Sequence, residues 1–250
     1  MRLHGGPWEM EILPERGGRI ASLRLAGEEL LDQGIGVDDT SRDGFVESGA
    51  WGWDEMVPNV DAAVYPWPGE FAGTELPDHG EAWRLEWTVV DGSALACAGR
   101  VLPWKLLRRI ELGHSRIRFT YTYTNAGATP LYAYWCAHPL FLYEADMDVV
   151  VGGGVPRPGE GESRKVFLRR GSADRALLRW KSGAAIEFAW DASVTPYVGV
   201  WVCNGDLGGY RQIAIEPATG GADRPHLAAP PPLLDPGEQL QWWLEVRDAR

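Results

Sequence analysis

Residues 116–124 of the chain read RIRFTYTYT, a stretch in which apolar or aromatic residues alternate strictly with polar ones. Successive side chains of a strand point to opposite faces, so this alternation predicts a β-strand with one buried face. Before it, Leu106, Arg108, Ile110 and Leu112 occupy alternate positions, and the sequence Gly-His-Ser at 113–115 separates the two stretches. Together they predict a β-hairpin.

The same period of two recurs at 83–89, 198–202 and 240–246, and the sequence at 17–28 predicts another hairpin early in the chain. No stretch of 12 or more residues has helical periodicity, and 31 Gly and 18 Pro divide the chain into short segments. This pattern predicts an all-β protein, a sandwich or a related architecture. The proline-rich stretch at 230–232 is typical of a rigid loop between strands, and no internal repeat is present. We therefore expect one domain spanning residues 1–250.

Charge and composition restrict the partners. The formal net charge is −11, which repels phosphate backbones and anionic lipids, so neither nucleic acid nor a membrane is an expected partner. Three cysteines without a CxxC pair predict neither a disulfide scaffold nor a zinc site. The N-terminus lacks the apolar core of a secretory signal, which predicts a cytoplasmic location. The thirteen tryptophans suit stacking on sugars, but they suit core packing as well.

Two ionisable residues, His138 and Glu216, each precede a proline in a predicted strand. Alternation places His138 on a face with Tyr134, and places Glu216 opposite its neighbouring isoleucines. Proline cannot donate to a sheet ladder, which predicts that the strands end near Pro139 and Pro217. An ionisable residue at a strand end is well placed at the rim of a cavity. A hydrogen-bonded core histidine and a solvated glutamate fit the pattern equally well.

Further polar residues stand in two other segments. His79 follows Asp78 in a predicted loop, where the carboxylate could orient the imidazole. Asp54 and Glu55 are adjacent. Because neighbouring residues of a strand point to opposite faces, at most one of this pair is expected to enter a shared pocket.

Six segments, in chain order, resemble the aldose 1-epimerase (galactose mutarotase-like) family. They are GGRIASL at 17–23, GWDEMVP at 52–58, DHGEAW at 78–83, HPLF at 138–141, IAIEP at 213–217 and LDPGE at 234–238. Each motif is weak alone, but the ordered set is fairly specific. The resemblance implies a β-supersandwich that binds a sugar on the concave face of a large sheet and needs no metal, nucleotide or redox cofactor.

The resemblance also implies roles for individual residues. Glu216 would be the catalytic base, His138 the catalytic acid, and His79 a contact near the ring oxygen or the anomeric hydroxyl. Asp174 is the best positional candidate for the aspartate that the family uses on the sugar hydroxyls. The remaining candidates for sugar binding are Asp54 and three aromatic residues, Trp53, Tyr134 and Trp201, of which Trp201 is favoured for stacking.

The leading hypothesis is an aldose 1-epimerase that interconverts the α and β anomers of a free aldose or a close derivative by acid–base ring opening. A second hypothesis is a sugar-binding protein of the same fold without turnover. A third is a glycoside hydrolase that pairs Glu216 with Asp54 or Glu55. The family's galactose-specific members carry an arginine in an Asn-Arg-Ile segment that has no counterpart here, so the sugar stays open. The oligomeric state is open too.

Overall fold

The computed structural model describes residues 1–39 and 41–250. Within them, helical structure consists of α1, Phe45–Gly49, and one 3₁₀ turn, Ala82–Arg84. Strands β1 to β11 are Arg2–Gly5, Trp8–Leu13, Arg19–Leu25, Glu28–Glu29, Trp53–Met56, Ala63–Val64, Glu75–Leu76, Thr88–Asp91, Ala94–Ala98, Trp104–Leu112 and Arg116–Asn125. Strands β12 to β21 are Leu131–Tyr132, Cys136–Leu142, Asp148–Val151, Glu162–Phe167, Arg175–Arg179, Ala185–Trp190, Tyr197–Asn204, Arg211–Ala218, Leu233–Leu234 and Gln239–Asp248.

Two large antiparallel sheets make up the sandwich. The nine-stranded sheet has the order β1-β2-β3-β5-β13-β19-β18-β15, with β4 paired to β3. The eight-stranded sheet has the order β14-β16-β17-β21-β11-β10-β9-β8. No helix within 1–39 or 41–250 is long and apolar enough to cross a membrane. The predicted all-β class is confirmed.

The predicted hairpin forms β10 and β11, which pair in continuous register from Trp104–Asn125 to Leu112–Ile117. On β11 the buried and the more exposed positions alternate, as the sequence predicts. Phe119 on this strand packs 5.0 Å from Trp53 on β5, ring centroid to ring centroid, and so joins the two sheets. The hydrophobic core therefore lies between the sheets.

Trp53 belongs to this core and is fully buried, with Phe188 of the eight-stranded sheet 5.5 Å away. The expectation that Trp53 contacts a sugar is therefore wrong. All four residues of β5 are buried, so exposure does not alternate along this strand and cannot show which face carries a site. Parity places Trp53 on the core face and Asp54 on the opposite face.

The strand end predicted near Pro139 is also wrong, whereas the one predicted near Pro217 is confirmed to within one residue. Strand β13 continues to Leu142 and β19 continues to Ala218. Pro139 remains in register with Trp53, and the next amide, that of Leu140, donates to the carbonyl of Gly52 at 2.9 Å. On its other side β13 pairs with β19 only before and after this position, which accommodates a residue without an N–H.

The alternation at 83–89 does not mark one continuous strand. Trp83 lies in the 3₁₀ turn, and strand β8 begins only at Thr88. Trp83 and Trp87 are nevertheless buried. In this segment the spacing of two indicates which side chains are buried in the core. The backbone between the 3₁₀ turn and β8 is irregular and does not pair with a neighbouring strand among the described residues.

Candidate active site

A cavity of about 180 Å³ opens on the face of the nine-stranded sheet that points away from the core. Ile213 and Ile215 of β19 join the core cluster, whereas Gln212 and Glu216 of the same strand line the cavity. The volume is below the ~300–1,000 Å³ typical of sites for drug-sized ligands, so the cavity suits a small molecule. The other polar and aromatic lining residues include His79, His138, Lys165, Trp201 and Asp223.

Neighbouring strands bring the central side chains together. His138 on β13 is in register with Asp54 on β5, and Glu216 on β19 is in register with Gly199 on β18. Between the paired positions Cys136–Ala218 and Leu140–Ala214, His138 and Glu216 stand opposite each other. Opposite residues of an antiparallel pair share a face, so both side chains enter one cavity.

Glu216 is 1% exposed. Its Oε2 accepts a hydrogen bond from Nζ of Lys165 at 2.5 Å, while its Oε1 has no partner among the described residues. Burial raises the pKa of Glu216 above its ordinary value of 4.5; the charge of Lys165 opposes this rise, and that of Asp223 adds to it. A buried carboxylate with one unpartnered oxygen is suited to accept a proton from a ligand.

Lys165 bridges two carboxylates. Its Nζ lies 2.5 Å from Glu216 and 2.6 Å from Oδ1 of Asp223. Burial alone would lower the pKa of Lys165, but the charges of Glu216 and Asp223 raise it well above its ordinary value. Gly199 leaves room for this arrangement, because a Cβ there would lie 2.8 Å from Cε of Lys165 and 3.2 Å from Oε2 of Glu216.

His79 is held in a defined orientation by its loop. Its Nδ1 lies 3.0 Å from Oδ1 of Asp78, and its ring stacks on Phe45 at 4.5 Å. Asp78 also accepts the backbone N–H of Phe45 through Oδ2, which links the loop to α1. Burial would raise the pKa of Asp78, but the hydrogen bond and charge of His79 bring it below its ordinary value of 3.8.

The backbone at this loop is unusual as well. His79 has φ of +57°, a conformation that residues other than glycine seldom adopt. Gly80 follows with φ of +66°, and a Cβ there would lie 2.3 Å from the carbonyl oxygen of Val57. Two successive left-handed residues aim the imidazole at the cavity, and only glycine fits the second position.

His138 is 6% exposed and makes no side-chain hydrogen bond within the described part of the chain. Its ring meets that of Phe45 edge to face at 5.2 Å. Burial and the nearby charges of His79, Lys165 and Arg19 bring the pKa of His138 well below its ordinary value of 6.5. Burial therefore favours the neutral form of this imidazole.

Gln212 offers a fixed hydrogen-bond acceptor. Its Nε2 donates to Oδ1 of Asp32 at 2.9 Å and to the carbonyl of Ala50 at 2.6 Å. These two acceptors fix the orientation of the amide, and Oε1 is left without a partner in the described residues. Buried polar atoms are usually hydrogen-bonded, so an unpartnered acceptor beside a cavity fits a hydroxyl-bearing ligand.

Asp54 and Glu55 do not line the cavity. Both oxygens of Asp54 are bound by Arg19, whose Nη2 lies 2.8 Å away, and neither side chain is exposed. Glu55 points into the core, where Arg108 and Tyr121 donate to its Oε1 at 3.0 and 2.9 Å. The sequence pattern suggested Asp54 as a sugar contact and either residue as a hydrolase partner of Glu216, but buried arginines occupy both carboxylates.

The other candidates are divided. Trp201 is half-buried and lines the cavity, on the face of β18 opposite Val200 and Val202. Tyr134 is buried, and its hydroxyl donates to the carbonyl of Ala222. Asp174 is 59% exposed, pairs with its neighbour Arg175 and does not line the cavity, so the expected sugar contact there is wrong.

Sequence reasoning missed Lys165, Asp223 and Phe45 as site residues. Lys165 lies in the sequence ESRKVF, where nothing distinguishes it from a lysine on a solvated edge strand. Asp223 lies in a polar loop that follows β19. The importance of these residues comes from contacts between segments distant in sequence, for which no local signal exists.

Comparison with solved structures agrees with this architecture. No protein-family model matches the chain, and no curated protein matches it in sequence. A candidate aldose 1-epimerase from Escherichia coli K12 superposes with a TM-score of 0.76 at 17% identity, covering 98% of this chain and 97% of that one. A galactose mutarotase-like protein from Lactobacillus casei gives 0.75 at 17% identity, with 99% of each chain covered. One from Clostridium acetobutylicum gives 0.71 at 15%, covering 98% of this chain and 93% of that one. The chain therefore has the galactose mutarotase-like fold over almost its whole length.

Proposed function

We propose that the protein is an aldose 1-epimerase, acting on a free aldose or a close derivative. The observation that carries this proposal is a single small cavity in which Glu216 has an unpartnered carboxylate oxygen and two imidazoles, His79 and His138, stand beside it. Structural neighbours described as a candidate aldose 1-epimerase and as galactose mutarotase-like proteins support the same direction.

The reaction needs a base and an acid together. Glu216 takes the proton of the C1 hydroxyl, the C1 oxygen forms a carbonyl, the bond from C1 to the ring oxygen breaks, and the ring oxygen receives a proton from a histidine. Rotation about C1–C2 then presents the other carbonyl face, and the same transfers run in reverse. Each group contributes about 10²–10⁴-fold to such a reaction.

Glu216 suits the role of the base. A carboxylate whose pKa burial has raised above 4.5 binds a proton more strongly than an exposed one. Lys165 occupies Oε2, so Oε1 is the oxygen left for the substrate. The resemblance in sequence gives Glu216 the same role.

The acid comes from the histidine pair, His79 and His138. Asp78 holds Nδ1 of His79, so Nε2 of that imidazole is the nitrogen left for the sugar. Nδ1 of His138 has no partner among the described residues, and its ring lies beside that of His79. The resemblance gives the role of the acid to His138 and that of a sugar contact to His79.

The remaining lining accounts for binding a sugar. Trp201 and Phe45 provide aromatic surface for the C–H faces of a pyranose. The fixed Oε1 of Gln212 accepts from a hydroxyl. Lys165 is the one lysine or arginine among the described lining residues, and it is already matched by two carboxylates, so no unpaired ammonium or guanidinium is left there for a phosphate. A neutral aldose fits this lining better than a phosphorylated one.

The test is relaxation of a freshly dissolved pure anomer, followed by polarimetry or NMR and corrected for the spontaneous rate. α-D-Glucose, α-D-galactose and their 6-phosphates are the first probes. We expect the protein to accelerate relaxation of at least one neutral sugar more than that of its phosphate. Binding of a sugar without acceleration would overturn the proposal in favour of a sugar-binding protein.

A further inference from the structure

Lys165 lines the cavity but takes no direct part in the proposed chemistry. It is on β15, the edge strand of the nine-stranded sheet, and reaches across Gly199 of β18 to Glu216 of β19. The same ammonium binds Asp223 from the loop that follows β19. Three segments distant in sequence therefore meet at one nitrogen.

The ion pair with Lys165 offsets a cost of burial. Ionising a carboxylate as buried as Glu216 costs free energy unless a compensating charge lies nearby. Lys165 supplies that charge at hydrogen-bonding distance and occupies one of the two oxygens. Asp223 competes for the same ammonium at 2.6 Å and adds a negative charge close to Glu216. The way in which Glu216 and Asp223 share the ammonium of Lys165 therefore determines how readily Glu216 ionises.

We propose that Lys165 is a positioning residue that keeps Glu216 ionised and directs its free oxygen to the substrate, and that Asp223 limits this effect by sharing the ammonium. The proposal rests on the proposed function in that Glu216 is there the base. The electrostatic relationship itself can be measured whether or not the protein turns over a sugar.

The other groups around Glu216 do not replace Lys165. Cys136 of β13 places Sγ 4.0 Å from Oε2 of Glu216, and its thiol is buried. Tyr134, in the segment before β13, is buried with its hydroxyl bonded to the backbone. His138 is neutral, and His79 has its own carboxylate. Lys165 is thus the only cation in hydrogen-bonding contact with Glu216 among the residues of 1–39 and 41–250.

Two substitutions with opposite expected effects test the proposal. Lys165→Met removes the positive charge, so Glu216 should ionise at a pH higher by roughly 1–3 units. Asp223→Asn removes a negative charge and frees the ammonium for Glu216, so ionisation should move to a lower pH. Loss of packing would not produce shifts of opposite sign. Lys181→Met is the control, because Lys181 is exposed and pairs with Asp146.

Gly199→Ala should disturb the contact between Lys165 and Glu216 without altering a charge. The new methyl would displace the flexible end of Lys165 and leave the strand in place. We expect a shift in the direction of Lys165→Met, but a smaller one. Lys165→Arg, which keeps the charge, should restore much of the behaviour of the unaltered protein.

The readout is the ionisation of Glu216 itself, from the carboxyl carbon chemical shift in ¹³C-glutamate-labelled protein, with the signal assigned by its absence in Glu216→Gln. The acid limb of kcat/KM should move with it, and at pH 7 Lys165→Met should lose roughly 10–100-fold in kcat with a smaller change in KM. An unchanged midpoint in both variants would overturn the proposal. If shifts of the expected sign occur in a protein inactive on every sugar, the electrostatic role holds and the proposed function fails.

Discussion

The imidazole rings of His79 and His138 meet edge to face, with their centroids 5.5 Å apart. Asp78 contacts Nδ1 of His79, whereas Nδ1 of His138 has no partner among the described residues. The Asp78 carboxylate therefore fixes the orientation of one imidazole of the pair and leaves the other without such a contact.

Replacing that aspartate should reduce activity. Asp78→Ala removes the carboxylate that orients His79, so the imidazole should lose its fixed position in the cavity. We expect kcat/KM to fall by roughly 10–100-fold, because a misplaced group beside the reacting atoms slows the reaction. Asp61→Ala is a matched control, because Asp61 also lines the cavity but has no bond to His79. Equal losses in the two variants would contradict the orienting role of Asp78.

The pH dependence of the free energy of unfolding should show that His138 is buried in its neutral form. The unfolded chain protonates this histidine near pH 6.5, whereas the native protein does so only at a much lower pH. Acidification therefore favours unfolding: the contribution is complete above pH 6.5 and is lost as the pH falls from there towards the native pKa. Urea unfolding between pH 7 and pH 5 should show a decline in the free energy of unfolding that His138→Asn reduces, by up to about 1.4 kcal/mol per pH unit. The exposed His114, changed to Asn, should leave the decline unaltered. The same decline in His138→Asn and the unaltered protein would show that His138 is not held neutral.

Substitutions of Asp54 and Asp174 should distinguish a buried carboxylate that stabilises the fold from a solvated one that does not. Asp54→Asn leaves the buried guanidinium of Arg19 without its counter-charge, which we expect to cost about 3–5 kcal/mol in unfolding free energy. Asp174→Asn changes an exposed pair and should stay within about 0.5 kcal/mol with unaltered turnover. Thermal unfolding and anomer relaxation measure both effects. Loss of sugar affinity in Asp54→Asn at unaltered stability would restore Asp54 as a sugar contact.

The fold can be predicted from the sequence more completely than the candidate site can. Alternation at 116–124 directly indicates a half-buried strand, because one face of β11 is packed against the core and the other is not. Strand β5 is buried on both faces, so its pattern could not separate Trp53 in the core from Asp54 facing Arg19. Pro139 suggested a strand end because proline cannot donate a backbone hydrogen bond to a neighbouring strand. In the structure β13 is not paired with β19 at this position, but it remains paired with β5 and continues.

Within the site, local patterns locate residues but not their charge states. His138, His79 and Glu216 stand out in the sequence, and all three line one cavity. The neutrality of His138 and the bridge from Lys165 to Glu216 and Asp223 arise from burial and from contacts between segments distant in sequence. Such effects depend on three-dimensional proximity, which single-sequence periodicity does not contain.

The most direct test of the central claim is the rate of anomer relaxation in Glu216→Gln. The amide keeps the size and polarity of the side chain but cannot take the C1 proton, so the interaction lost belongs mainly to the transition state. On the sugar that the unaltered protein accelerates most, we expect a loss of roughly 10²–10⁴-fold in kcat with little change in affinity, while Asp174→Asn keeps full activity. Turnover by Glu216→Gln close to that of the unaltered protein would contradict the claim that Glu216 is the base.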